Sequence, residues 1–280
     1  EPYALLQRSA FIADTKLQWH IVNGSFDVPF TRQFIGDIPV RYELGNLVHW
    51  GLGPMLGIAV LIAVGAAIWG IRRRSFAELV LLSWIVPYFV LVATAEAKFM
   101  RYLVPIVPAL VILTVAFALR LLPERPTRTI RFIAPVTGIT LVLAGTLGWS
   151  LAFESIYHRT NTRIAASEWI FQNIPQGAKL TAEYWDDSLP LPLEGHPYPT
   201  PYYSQITMDL YADRPNEEEF TYIANTLQRA DYVILSSDRL ALSIPKSPWR
   251  YPVDSEYYRL LTSGQLGFQE VYESNVEPSL

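Results

Sequence analysis

The sequence predicts a polytopic α-helical membrane protein followed by a small extracytoplasmic α/β domain. Of the 280 residues, 51% are hydrophobic and only 17% are charged, which is apolar for a soluble protein. The net charge also differs between the two parts of the chain. Residues 1–154 carry 13 Lys and Arg against 9 Asp and Glu, hence +4, and residues 155–280 carry 9 against 17, hence −8. A basic, apolar first part and an acidic, polar second part indicate a membrane part and a water-facing part.

The composition also excludes several classes of site. The chain has no cysteine, so disulfides, thiolate metal sites and a cysteine nucleophile are excluded. It has no basic stripe typical of nucleic-acid binding, and we expect no nucleic-acid partner. The first residue is Glu1, and no basic segment followed by an apolar one opens the chain. We therefore expect this chain to be part of a longer protein.

Residues 1–46 are aromatic and amphipathic but too polar to span a bilayer. In "FIADTKLQWHIV" the apolar residues recur at helical spacing, at Phe11, Ile12, Leu17 and Ile21. We interpret 1–46 as an outer amphipathic loop lying on the membrane surface. A plain surface helix of a soluble domain fits this periodicity equally well.

Four apolar runs follow, and each is a candidate transmembrane helix, which takes about 20 mostly apolar residues. The predicted spans are 47–70, 79–95, 102–119 and 132–153. The second and third are short and contain prolines, so buried helices of a soluble core are the alternative. Four such runs in tandem, with charged residues between them, favour transmembrane helices.

The loops after the first and third spans indicate the orientation. Together they carry seven arginines: Arg72, Arg73, Arg74, Arg120, Arg125, Arg128 and Arg131. Short cytoplasmic loops accumulate such charges. We therefore expect a multi-pass protein of the cell (inner) membrane, with 96–101 and the C-terminal domain 155–280 on the extracytoplasmic side.

Residues 155–280 alternate helix and strand signals, which predicts a small domain with a largely parallel sheet. The predicted strands are "KLTAEYW", "DYVILSS" and "GFQEVYES", and the predicted helices are "TRIAASEWIFQN", "NEEEFTYIANTLQRA" and "SEYYRLLTSG". The second helix opens with a capping-box pattern, Asn216 with Glu219 three residues on. Gly264 closes the third helix, and a proline-rich loop occupies 190–201.

The stretch "EAKFMRYLVPIVP" is the first candidate site. On a helix, Lys98, Arg101, Tyr102 and Pro105 would share one face. A lipid phosphate lies at this depth, and an ammonium and a guanidinium both suit its oxygens. Proline loosens the start of the helix, which is tolerated where the site is buried in protein or lines a cavity. The alternative is that both cations are ordinary interfacial anchors.

"KFMRYLVPIVP" resembles the K/R-x-x-RY-x-x-P-x-x-P stretch of GT-C type membrane glycosyltransferases, which use a polyprenyl-phosphate sugar donor. The branch in question includes the protein O-mannosyltransferases, the aminoarabinose transferases of lipid A and uncharacterised bacterial relatives. Three further stretches resemble the bacterial group. They are "LGNLVHWGLGPMLG", the segment 163–191 that includes "RIAASEWIFQNIPQG", and the segment 230–271 that begins "ADYVILSSDRL".

This resemblance implies a bacterial enzyme that transfers a sugar from a polyprenyl-phosphate carrier to a glycan, lipid or protein acceptor at the outer face of the membrane. It also implies that Lys98 and Arg101, with Tyr102 as a weaker candidate, contact the donor phosphate. The family uses an acidic base from the first outer loop. Asp14, Asp27 and Asp37 do not match it, so the catalytic residue is unknown, and we expect the chain to be inactive alone.

The stretch "EYWDDSLP" is the second candidate site. Trp185 with Asp186 and Asp187 would suit an acceptor sugar or a divalent metal, whereas a strand-end turn with solvated acids is the alternative. The four histidines are far apart, which gives little support to a zinc site. No other cofactor is predicted.

Two other classes of protein are compatible with parts of the sequence. A non-enzymatic, membrane-anchored binding or assembly subunit would use the outer domain and need the helices only as a tether. A transporter has less support, because the predicted spans contain no acidic residue.

Overall fold

The computed structural model describes residues 2–70, 75–123, 130–196, 198 and 202–280. The chain forms two compact units. The first unit consists of Glu1–Asp27, Asp37–Ser155 and Pro278–Leu280, and the second of Val28–Gly36 and Ile156–Glu277. The structure is mostly helical and contains a two-stranded sheet.

The described part of the first unit contains helices joined by short non-helical segments, and no strand. Its helices are α1 (Tyr3–Leu6), α2 (Arg8–Val22), α3 (Arg41–Asn46), α4 (Pro54–Trp69), α5 (Phe76–Ala93), α6 (Val107–Leu121) and α7 (Ile130–Glu154). A 3₁₀-helix, Met100–Ile106, leads into α6. The core of this unit lies among α4, α5 and α6, where the buried residues include Val60, Leu82, Ile85, Leu103, Ile106, Leu110 and Leu113.

Three helical stretches of the described chain are long and apolar enough to cross a membrane. They are Phe76–Ala93, Met100–Leu121 and the stretch that begins at Phe132 in α7. Their mean hydropathies are 2.1, 2.4 and 1.6. These three correspond to the second, third and fourth predicted spans.

The prediction of one continuous helix over 47–70 is wrong. The segment divides into a π-helical turn, Leu47–Gly51, and α4, which has 16 residues. A helix of that length spans about 24 Å, less than the roughly 30 Å of a hydrocarbon core. Gly53 separates the two parts with a φ of +78°, and a Cβ built there would lie 2.6 Å from Cδ1 of Trp149 in α7. Glycine suits this position because it adopts a positive φ without strain and has no Cβ to collide with Trp149.

Helix α5 begins three residues before the predicted start of its span. The Ser75 side chain accepts a hydrogen bond from the Glu78 backbone N–H, and the Glu78 side chain accepts one from the Ser75 backbone N–H. This capping box fixes the start of the helix. Glu78 is buried and forms an ion pair with Arg120 of α6 at 2.5 Å. Glu78 lies one residue before the predicted span 79–95, which itself contains no acid, so α5 begins with a buried acid in its first turn.

The second unit combines short helices with two parallel strands. Its elements are α8 (Thr162–Asn173), β1 (Lys179–Glu183), β2 (Ser204–Met208), α9 (Asn216–Arg229), α10 (Arg239–Ser243) and α11 (Pro252–Thr262). The strands pair from Lys179 opposite Ser204 to Glu183 opposite Met208. The predictions of α8, β1, α9 and α11 are confirmed, and Gly264 follows α11 with a φ of +72°.

Two predicted strands are wrong. In "DYVILSS" only Tyr232 makes a bridge, a parallel one with Leu180. Two residues further on, the N–H of Ile234 is bound by the Thr181 side chain in place of a backbone carbonyl. A continuous apolar run predicts burial but does not ensure a ladder of backbone bonds. "GFQEVYES" has no regular structure, and Tyr272 within it stacks on Trp169 with ring centroids 4.8 Å apart.

The capping box predicted for α9 is wrong. The N-cap is Pro215, and no side chain caps this end of the helix. The Glu219 carboxylate instead forms an ion pair with Arg214 at 2.5 Å. Glu219 also interacts with Asp254 of α11, and burial together with this neighbour raises the pKa of Asp254.

Residues 1–46 do not form a single element. Helix α2 is present as predicted, and none of its residues is buried. The 3₁₀-helix Pro29–Phe34 belongs to the second unit and packs against α10. The guanidinium of Arg32 lies over the rings of Tyr211 and Tyr251, 5.0 and 5.6 Å from their centroids. Within 1–46, only Val28–Gly36 thus belongs to the second unit. Phe11, Ile12 and Leu17 of α2 are exposed, and the location of 1–46 on a membrane surface stays a prediction.

Candidate functional site

The segment between α5 and the 3₁₀-helix carries Lys98, and it is held to the end of α2. The backbone N–H groups of Glu96 and Ala97 donate to the Val22 carbonyl at 2.9 and 3.3 Å. The Glu96 side chain covers Gly24, where a Cβ would lie 2.6 Å from the Glu96 Cγ. A segment fixed in this way can hold a cation in a defined position.

The prediction that Lys98 shares a helical face with Arg101 and Tyr102 is wrong. Lys98 precedes the 3₁₀-helix, whereas Arg101 and Tyr102 lie in its first turn. Pro105 lies inside this 3₁₀-helix, and Pro108 lies in the first turn of α6. The Pro105 carbonyl accepts a hydrogen bond from Nε1 of Trp84 at 3.3 Å. A neighbouring helix therefore satisfies that backbone group.

The ammonium group of Lys98 is buried, and the side chain is only 3% exposed. Nζ donates to the Glu96 carbonyl at 3.3 Å, which is its one hydrogen bond within the described chain. Two of its three N–H donors are therefore unused there. A buried charge with so few partners is costly, and such groups are characteristic of functional sites.

The guanidinium of Arg101 is exposed and lies over aromatic rings. Its central carbon is 4.3 Å from the Phe99 ring centroid and 5.4 Å from that of Tyr102. The two rings meet edge to face, with centroids 5.7 Å apart. Cation–π contacts use the face of a guanidinium, so its N–H edges stay available for an anion.

Sequence reasoning missed Glu43 of α3, which lies near Lys98. Its side chain is 0% exposed, and neither carboxylate oxygen accepts a hydrogen bond from the residues that the structure describes. Burial raises the pKa of Glu43, and the charge of Lys98 opposes this increase only in part. No local signal in the sequence marks Glu43, because its burial and its interaction with Lys98 depend on contacts between distant residues.

The first candidate site thus combines a buried ammonium, an exposed guanidinium and a buried carboxyl group. An ammonium and a guanidinium each bind anionic oxygens, and a carboxyl group is able to hold or release a proton. Of the arginines that predicted the orientation, Arg72, Arg73, Arg74, Arg125 and Arg128 lie outside the described residues. The sidedness of this site stays a prediction.

The second candidate site is a turn after β1 in which arginines neutralise the acids. Asp186 is buried, accepts a hydrogen bond from Oγ of Ser237 and lies 3.8 and 3.6 Å from Arg163 and Arg239. Asp187 is exposed and forms an ion pair with Arg163. The interpretation as solvated acids is therefore wrong for Asp186.

The same turn gives no support to a metal site. The described residues contain no cluster of three potential metal ligands. Trp185 contributes its carbonyl as an acceptor for Arg239 at 3.0 Å, and its ring meets Tyr184 edge to face. A role of Trp185, Asp186 and Asp187 in acceptor binding stays a prediction.

Glu183, the last residue of β1, is a buried acid that the sequence did not single out. It is 3% exposed, and Oε1 accepts a hydrogen bond from the Tyr258 hydroxyl. Burial raises the pKa of Glu183 to about 7, with a smaller contribution from the charge of Asp186. Burial and Glu183 in turn raise the pKa of Tyr257 and Tyr258. Glu183, Tyr257 and Tyr258 thus form a buried cluster of ionisable groups in the second unit.

Comparisons with known proteins add no identification, because no family model, no curated protein and no solved structure matches the chain.

Proposed function

We propose that this chain is part of a membrane glycosyltransferase that takes its sugar from a polyprenyl-phosphate carrier. The acceptor is a glycan, lipid or protein at the outer face of the cell membrane. The supporting observation is that two cations lie where one apolar stretch of spanning length ends and the next begins. Lys98 is buried on the tethered segment, and Arg101 is exposed at the start of the 3₁₀-helix.

The location of these cations suits a lipid phosphate. Helix α5 ends at Ala93, and the next apolar stretch begins at Met100. If both cross the bilayer, the segment between them lies at the level of the headgroups. Lys98 offers unused N–H donors in a buried setting, and Arg101 offers a planar donor edge beside it in the chain. Tyr102 contributes an aromatic surface and a hydroxyl group.

The reaction explains why cations are required there. A carboxylate base removes a proton from the acceptor hydroxyl, and the oxygen attacks the anomeric carbon of the sugar. The bond between that carbon and the phosphate oxygen breaks, and its electron pair stays on the phosphate. Lys98 and Arg101 stabilise the negative charge that grows on this leaving group. We assign no catalytic base within this chain.

The orientation is also part of the proposal. The seven arginines of the first and third loops favour a cytoplasmic location for those loops, in a multi-pass protein of the inner membrane. The segment with Lys98 then faces outward, as does the second unit. This location would give the site access to a lipid donor from the bilayer and an acceptor from outside the cell.

Binding of polyprenyl phosphate tests the proposal directly. With the chain in lipid nanodiscs, the Lys98→Met, Arg101→Met double variant should bind radiolabelled polyprenyl phosphate roughly 100-fold more weakly, since each charge-assisted hydrogen bond contributes about 1.5–3 kcal/mol. The matched control replaces the exposed cations of α2 by Arg8→Met and Lys16→Met. It should bind normally.

Equal binding by both double variants and the unmodified chain would show that Lys98 and Arg101 are interfacial anchors. The proposal would then be rejected in favour of a membrane-anchored binding or assembly subunit. In the full-length protein, the double variant should also lose transfer of sugar from the polyprenyl-phosphate donor.

A further inference from the structure

The buried carboxyl group of Glu43 has no role in the transfer reaction as proposed above. It is fully buried on α3, and neither oxygen accepts a hydrogen bond from the described residues. Buried polar groups in folded proteins almost always have such a partner, so this one requires an explanation. An ionised carboxylate would be poorly solvated in this position, and a protonated one would carry an unused O–H donor.

Lys98 is the cation whose charge acts on Glu43. The two groups attract each other without sharing a hydrogen bond, because both Glu43 oxygens lack one. Lys98 has unused donors as well, since Nζ is bonded only to the Glu96 carbonyl within the described chain. An anion that binds to Lys98 therefore competes with Glu43 for the charge of the same ammonium group.

Among the described residues, Lys98 is the charged group that shifts the pKa of Glu43. The other ionisable residues on α3, on the turn packed against it and on the 3₁₀-helix beyond that turn are Arg41, Tyr42, His49, Arg101 and Tyr102. Tyr42 interacts electrostatically with Glu43 and with Asp37, and both acids help to raise its pKa. His49 lies on the π-helical turn that follows α3, and its Nδ1 is 3.0 Å from the Gly45 carbonyl oxygen. The 3₁₀-helix with Arg101 packs against that turn.

We propose that Glu43 is a positioning residue that couples phosphate binding at Lys98 to the uptake of one proton. This inference rests on the proposed function. Before binding, the charge of Glu43 holds the ammonium in place. When phosphate oxygens occupy the unused donors of Lys98, Glu43 faces an anion and takes a proton from solvent. One O–H bond forms on the carboxyl group, and no other covalent bond changes. When the lipid phosphate leaves, the proton leaves too.

The burial of Glu43 favours this exchange. Burial already raises the pKa of Glu43, and the interaction with Lys98 is what opposes protonation. Once a phosphate group neutralises that ammonium, the opposing effect is lost and the second negative charge favours the protonated acid further. Phosphate binding and protonation of Glu43 then strengthen each other by the same factor.

Calorimetry on the unmodified chain in nanodiscs measures this coupling. The ligand is a short-chain polyprenyl methyl phosphate, a diester that lacks the second ionisation of a phosphate monoester near pH 6. Titrations in two buffers with different ionisation enthalpies report the number of protons taken up. We expect close to one proton at neutral pH, and an affinity that weakens by up to about tenfold for each pH unit of increase.

Glu43→Gln should bind the diester with no proton uptake and with an affinity independent of pH. The matched control is Glu154→Gln, which neutralises an exposed glutamate of the same unit and should behave like the unmodified chain. A purely structural role of Glu43 would change affinity but not the number of protons.

The outcomes separate the two proposals. Binding of the diester by the unmodified chain without proton uptake overturns the coupling and leaves the proposed function intact. Equal proton uptake by Glu43→Gln also overturns the coupling alone. Failure of the unmodified chain to bind the diester overturns both. If the Gln variant does not fold, the proton count of the unmodified chain still decides.

Discussion

Glu183 makes the stability of the second unit depend on pH, and the size of this effect follows from its burial. The pKa of Glu183 rises from an ordinary 4.5 to about 7 in the folded protein. Between these values the folded state holds a proton that the unfolded state has lost. The free energy of unfolding therefore decreases as the pH rises, by about 1.4 kcal/mol for each pH unit and by roughly 3 kcal/mol in total.

Glu183→Gln removes this dependence. The glutamine carbonyl can still accept the hydrogen bond of Tyr258, and the side chain no longer ionises. The variant should match the unmodified chain near pH 4.5 and exceed its stability above pH 7. The pKa of Asp254 is also raised, and this residue makes the free energy of unfolding depend on pH to a similar extent in Glu183→Gln and in the unmodified chain. The difference between the two proteins therefore isolates Glu183.

Hydrogen exchange by mass spectrometry on the full chain in detergent gives the local measurement. Peptides from β1 and α11 report the opening free energy of this cluster, after correction for the intrinsic dependence of exchange on pH. Glu168→Gln, an exposed glutamate on α8, is the matched control and should leave the slope unchanged. Equal slopes for Glu183→Gln and the unmodified chain would refute the reasoning.

Two further predictions concern the first unit. Gly53→Ala should destabilise the chain by about 1–3 kcal/mol, because Gly53 has a φ of +78° and Trp149 occupies the space of a Cβ. Thermal unfolding in nanodiscs measures this loss of stability. Gly51→Ala is the control and should have little effect, because a Cβ at Gly51 would make only ordinary contacts. Arg120→Met should cost about 1–3 kcal/mol, because it removes the ion pair between Arg120 and the buried Glu78. The double variant with Glu78→Gln should lose less stability than the single variant, and equal loss in both would contradict a role for this ion pair.

Local signals predicted much of the second unit. Helix α8 has its apolar spacing and ends before a proline, β1 has a short apolar run, and α11 ends close to Gly264. These features depend on neighbouring residues, which the sequence displays. Strand β2 was missed because "SQITM" follows a proline-rich loop and has little apolar pattern.

The candidate site was predicted only in part, because some of its features depend on residues that are far apart in the sequence. Lys98 and Arg101 are close in sequence and flanked by apolar runs, so their pattern is local. The burial of Glu43 depends on tertiary packing between residues more than 50 positions apart, and one sequence contains no local sign of it. The Glu183 carboxylate likewise accepts its hydrogen bond from Tyr258 of α11, more than 70 positions away in the sequence.

The attachment of the Lys98 segment to α2 has a mechanical consequence. A single oxygen, the Val22 carbonyl, accepts hydrogen bonds from two consecutive amides of that segment. Helix α2 has no buried residue, and its residues 8–20 are exposed. A force that draws the end of α2 away from this segment must break both hydrogen bonds, one of which holds Ala97, the residue before Lys98. A displacement of α2 would therefore shift the backbone next to Lys98, although α2 contributes no side chain to the candidate site.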